Sequence, residues 1–125
     1  MKRSMTATLG GEEIKLVASF GAASEIASKI GDPLMIVREI TVSSEMAKSG
    51  IGYTSKWQFG VKNLPVMLHI GMRAAGDKRG LAEVQDMVFG AGFIEAQSVC
   101  IDYLMLLVTP QNEEQMEAGE TTTGE

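Results

Sequence analysis

The 125-residue chain has one cysteine, Cys100, so no internal disulfide is possible. A chain without disulfides is compatible with a reducing compartment, and a cytoplasmic location is expected. There is also only one histidine, His69. A zinc site takes several Cys or His ligands, so one of each, far apart, predicts no metal. No run reaches the roughly 20 apolar residues that a membrane span needs. The longest apolar segment, Tyr103 to Val108, follows Asp102 and reads as core helix. The opening Met-Lys-Arg-Ser-Met has two basic residues and no apolar run behind them, so no signal peptide is expected. Most of the chain also lacks net charge: residues 1–109 carry 11 basic and 11 acidic side chains. That balance makes no basic stripe, and no nucleic-acid partner is expected.

What is present is apolar. Hydrophobic residues make up 45% of the chain, so a packed interior is expected. The length fits a single domain that buries a core without staples. Residues 1–109 are expected to form that domain. The net charge of −5 falls on residues 110–125, where Glu113, Glu114, Glu117, Glu120 and Glu125 stand without a Lys or Arg. This stretch is expected to be a disordered acidic tail that offsets the tendency of a neutral body to associate.

The patterning predicts a mainly α domain with a short N-terminal β-hairpin, an α+β arrangement of about five helices. Thr6 to Leu9 and Ile14 to Phe20 read as strands, with Ile14, Leu16, Ala18 and Phe20 on one face. Gly10-Gly11 between them supplies the positive φ of a tight turn. A helix is expected from Gly21 to Ile30, capped by Ser19 and stopped at Gly31. Asp32-Pro33 opens a second, with Leu34, Val37, Ile40 and Ser44 inward and Gly50 past its end. Ile51 to Gly60 reads as an irregular link. A third helix opens at Asn63-Leu64-Pro65, with Asn63 as cap and Leu64, Met67, Leu68, Gly71, Met72 and Ala75 on a broad apolar face. Gly76 to Gly80 forms a polar turn. A fourth helix spans Leu81 to Phe89, and Gly90-Ala91-Gly92 breaks it. The last runs from Phe93 to Val108, with apolar residues on two neighbouring sides, so burial over most of its circumference is expected.

Nothing in this pattern points to catalysis, and no cofactor is expected. His69 lies within Val66-Met67-Leu68-His69-Ile70 and reads as a core or interface residue. Cys100 reads as a buried thiol without the base that a nucleophile needs. Glu12-Glu13 and the Glu83/Asp86 pair read as solvated, with no apolar pocket to raise a pKa. Gly71 in mid-helix costs about 1 kcal/mol against alanine, which a close approach of another helix would justify. The nine methionines are mainly core filling and leave room for an adaptable binding surface.

The order of signals resembles a known family. The hairpin is followed by Ser19-Phe20-Gly21-Ala22-Ala23-Ser24-Glu25-Ile26 and a small helix closing at Gly31. Then come Leu68-His69-Ile70-Gly71-Met72-Arg73-Ala74-Ala75-Gly76, Leu81-Ala82-Glu83-Val84 and Gly92-Phe93. Over roughly residues 7–110 this is similar to the tail assembly chaperones of phages, prophages and gene transfer agents, a family also labelled tail tube proteins. Ala23 and Ala27 stand where the family often has a leucine and a second glutamate. The resemblance implies a chaperone that binds the tape-measure protein and keeps its apolar helices soluble while tube subunits polymerise. It implies self-association and work in the bacterial cytoplasm. Trp57, Phe59, Met67 and Met72 are the residues expected to face the partner, because aromatics dominate hot spots and methionine adapts. Two alternatives are a structural subunit of the tail tube or its connectors, and a small enzyme whose site, including His69, is shared across an oligomer.

Overall fold

The computed structural model describes residues 2–109; the acidic segment 110–125 lies outside the described residues. Strands β1 (Arg3–Leu9) and β2 (Glu12–Ala18) pair antiparallel, from Arg3 opposite Ala18 to Leu9 opposite Glu12, without a bulge. Gly10 and Gly11 turn the chain at φ 62° and 83°, a pair of positive values that a two-residue hairpin of this hand requires. Both strands reach beyond their apolar cores, because the ladder continues wherever backbone faces backbone. Ile14, Leu16 and Ala18 are buried as expected. Phe20 is not on that face. The chain leaves the strand at Ser19, and Phe20 becomes the first residue of α1 (Phe20–Lys29), 88% exposed. Ser19 does cap this helix, its Oγ accepting from the Ala22 amide at 3.1 Å.

Asp32 caps α2 (Pro33–Lys48), accepting from the Leu34 amide at 2.9 Å. The inward arc of α2 differs from expectation. Pro33, Ile36 and Glu39 are buried and Ile40 half-buried, whereas Leu34 is 66% exposed and Ser44 lies in solvent. Leu34-Met35-Ile36-Val37 rings the helix with apolar residues, so spacing alone left two arcs open. α1 does stop before Gly31, whose amide donates to the Ile26 carbonyl at 3.0 Å without a positive φ, and Gly31 lies against Trp57, whose Nε1 would be 3.2 Å from an added Cβ.

The link over 51–60 holds no regular element, and α3 (Asn63–Ala74) follows. Asn63 donates its amide to the Gly60 carbonyl and sits within the helix, so it is not the cap. α3 runs through the centre, packed on β2, α1, α4 and α5. Gly71 permits this approach: a Cβ there would lie 2.9 Å from both Leu16 Cδ2 and Tyr103 Cζ. The neighbours that require glycine are thus a strand side chain and a ring from the last helix.

α4 (Leu81–Ala91) and α5 (Phe93–Val108) meet at Gly92, φ 99°, where the chain bends by 117°. No single helix among the described residues is long and apolar enough to cross a membrane. Ala96, Val99, Cys100, Tyr103 and Leu104 bury one side of α5. The expected second side is only partly covered: Ile101 and Val108 are half-buried, whereas Ile94 is 83% and Met105 45% exposed. Two polar contacts tie α5 along β1. The Arg3 guanidinium donates to the Leu106 and Leu107 carbonyls at its C-terminal end, and Glu95 accepts from the Gly10 amide at 2.8 Å. The result is one α+β domain, a hairpin and five helices around a continuous core.

Candidate protein-binding surface

Two of the four residues expected to face a partner are core. Met67 and Met72 are fully buried, since both fall on the arc of α3 that meets the rest of the domain. They offer no surface. Trp57 and Phe59 are half-buried and pack edge-to-face, with ring centroids 4.9 Å apart. They form one wall of an open cleft of about 350 Å³, completed by Ile40 and Ser43 of α2 and Gln97 and Ile101 of α5. Its lining mixes amide, hydroxyl and apolar groups.

Glu39 holds that wall in place. Although buried, its Oε1 accepts from the Lys56 amide at 2.8 Å, the Tyr53 hydroxyl at 2.9 Å and the Ser55 hydroxyl at 3.3 Å. A single carboxylate oxygen thus straps the irregular link onto α2. The Lys56 amide, with help from Tyr53 and Ser55, holds the Glu39 carboxyl below its usual pKa against the opposing effect of burial. Glu25, bridged to Arg73 and Lys29, is lowered too, Arg73 being the larger cause. A depressed carboxylate stabilises the fold above its unfolded pKa, about 4.3, and that contribution disappears as pH falls through the folded value. Acidification below the unfolded value is therefore expected to release the link. Trp57 is the sole tryptophan and reports it directly by a red shift in emission. Glu39→Gln is expected to remove that acid transition or to leave the link open at neutral pH. An unchanged transition in the variant counts against the strap.

A second groove is more apolar. Phe20, Ala23 and Ala27 of α1, Pro33 and Leu34 of α2, and Leu107 and Val108 of α5 line an open groove of about 440 Å³, with Ser24 and Asp32 among its polar lining groups. Phe20 and Leu34 stand largely in water, an unfavourable placement that burial against a partner would reverse by roughly 1.5–3 kcal/mol for each side chain. Ala23 and Ala27 lie one turn apart on α1, and their small side chains keep the groove open.

Reactive groups are dispersed. His69 is half-buried on α3. Cys100 is fully buried, its Sγ 3.7 Å from the Leu64 carbonyl, and burial pushes the thiol pKa up, away from the reactive thiolate. Glu83 accepts from the Gly80 amide at the start of α4, and Glu12 pairs with Arg79. Among the described residues no three His, Cys, Asp or Glu side chains gather as metal ligands would. Spacing did not reveal Glu39 or the groove residues Phe20 and Leu34. A charge inside an otherwise apolar arc of α2 is the signal that marks Glu39. No protein-family model, no curated protein and no solved structure matches this chain.

Proposed function

We propose that the chain is a tail assembly chaperone of the phage and gene-transfer-agent type, which holds an apolar helix of the tape-measure protein in the bacterial cytoplasm while the tail is built. The observation that carries the reading is the apolar groove between α1, α2 and the end of α5, with Phe20 and Leu34 exposed at its walls. Such a groove suits the apolar face of a helix, which docks side chains at i, i+3 or i+4 and i+7. Phe20, Ala23 and Ser24 of the groove belong to the Ser19–Ile26 stretch on which the family resemblance opens. Its wall ends at Val108, two residues before the Glu-rich segment. The five carboxylates of residues 110–125, with no Lys or Arg among them, favour a tape-measure helix flanked by Lys or Arg.

The test is co-expression with a tape-measure protein, taken from the genes near this chain if one is encoded there, followed by pull-down, size exclusion and mass measurement. The expected result is a soluble complex, with the chain missing from finished particles. Stoichiometric presence in finished particles without such a complex would replace the reading with a structural subunit of the tail tube.

A further inference from the structure

The hairpin leaves one strand edge bare. In an antiparallel pair, the residues of alternate positions turn their N–H and C=O away from the partner strand. Leu9 and Glu12 flank a two-residue turn and are hydrogen-bonded to each other, so Ala7 and Met5 also point inward to β2. Ser4, Thr6 and Thr8 therefore present their backbone groups on the outer edge of β1. The same alternation turns the Val17 carbonyl away from β1, and Tyr103 donates to it at 2.6 Å. No group among the described residues does this for Ser4, Thr6 or Thr8. All three are exposed. α5 is tied to β1 through the Arg3 side chain, and an open cleft of about 340 Å³, lined by Met5, Asp102, Met105, Leu106 and Thr109, lies between them.

Natural proteins blunt such an edge with charge, proline or a bulge. Ser4-Met5-Thr6-Ala7-Thr8-Leu9 has no charge and no proline, and its ladder has no bulge. We infer that the outer edge of β1 pairs antiparallel with β1 of a second copy about a two-fold axis through Thr6, making one four-stranded sheet. Thr6 then faces its own symmetry mate, and Ser4 faces Thr8 on both sides. All the outward groups are used, in about six main-chain hydrogen bonds. Met5 comes opposite Ala7 on the inner face, over the cleft that Met105 lines.

Charge selects this orientation. Lys2 is exposed at one end of β1, without an ion pair among the described residues. At the other end stand Glu13, opposite Thr8, and Glu95, bonded to Gly10. Antiparallel pairing brings the basic end of each copy to the acidic end of the other; parallel pairing would set like against like. The domain outside the acidic segment has no net charge to oppose association. The inference does not depend on the tape-measure reading, since every arm of its test uses the chain alone.

The test combines mass measurement with crosslinking of the full chain. The expected result is a dimer at high concentration that dissociates on dilution and weakens with salt. Thr6→Pro removes an outward N–H that the hairpin does not use, so it should give a monomer with unchanged circular dichroism. Thr6→Cys should crosslink to itself under mild oxidation, because facing residues of a hydrogen-bonded pair lie about 5.5 Å apart, within disulfide reach. Ser4→Cys should not, its mate lying about 14 Å away along the strands. Cys100 is buried and provides no competing thiol. A chain that stays monomeric at high concentration overturns the inference. So does a dimer that survives Thr6→Pro, or equal crosslinking at positions 4 and 6.

Discussion

Tyr103→Ala is expected to lower the stability of the domain by about 3–5 kcal/mol, the range for truncating a large buried aromatic. The ring is fully buried and is the largest such side chain in the core. Its edge closes over Gly71 of α3, and its hydroxyl donates to the Val17 carbonyl, joining α5, α3 and β2. Burial pushes the Tyr103 pKa up, so the hydroxyl stays protonated and keeps its donor role at any physiological pH. Removing it creates a cavity and leaves a strand carbonyl without its partner, and the two losses compound. Tyr103→Phe separates them. It keeps the ring and should cost about 1–3 kcal/mol, the penalty for one unsatisfied buried acceptor. Gly71→Ala approaches the same contact from the other side. The helix gains about 1 kcal/mol of propensity, while a Cβ at 2.9 Å from two side chains adds about 1–3 kcal/mol of overpacking. Urea melts of the three variants measure these differences. A total of roughly 5–15 kcal/mol is usual for a domain, so the alanine at position 103 should leave little of it. A Tyr103→Ala melt within 1 kcal/mol of the parent would show that the core does not depend on this contact.

The elements that the sequence made legible are those where a local rule had no competitor. Gly10-Gly11 suits a two-residue hairpin turn, and Asp32-Pro33 supplies both the cap and the first-turn residue of a helix. The final helix was readable to the residue, Phe93 to Val108, because Gly92 and Thr109-Pro110 bracket an apolar run. Which side of a helix faces in was less legible. α2 and α5 carry more apolar surface than one contact arc can use, so Leu34 and Ile94 ended outside and Glu39 inside. Periodicity measures an amphipathic face only when the opposite face is polar. The same surplus hid the candidate site. Met67 and Met72 looked adaptable by composition, yet the central position of α3 encloses them. Phe20 looked like the end of a strand, and only the cap at Ser19, three residues from Ala22, turns it outward.

That outward turn leads to the second large effect. In the tape-measure reading, Phe20→Asp combined with Leu34→Asp is expected to weaken capture of the tape-measure protein by at least about 30-fold, the equivalent of losing one strong hot spot. The two side chains come from different helices and line the same groove, so a helix docked there is expected to meet both. Each aspartate also sets a charge where an apolar face would have to land, and desolvating it opposes binding further. The cost to the fold should be small, because both positions are mainly in water before substitution and replacing exposed residues usually changes stability by less than about 0.5 kcal/mol. Unchanged melting with lost capture would assign the groove as the docking surface. The Trp57 and Phe59 cleft provides the contrast. Gln58→Glu with Gln97→Glu adds charge to that cleft and not to the groove. If this pair abolishes capture while the Phe20 and Leu34 pair leaves it intact, the partner lies against the link and α5. The strap that Glu39 places on that link would then control access to it, and capture should fall on acidification together with the shift in Trp57 emission.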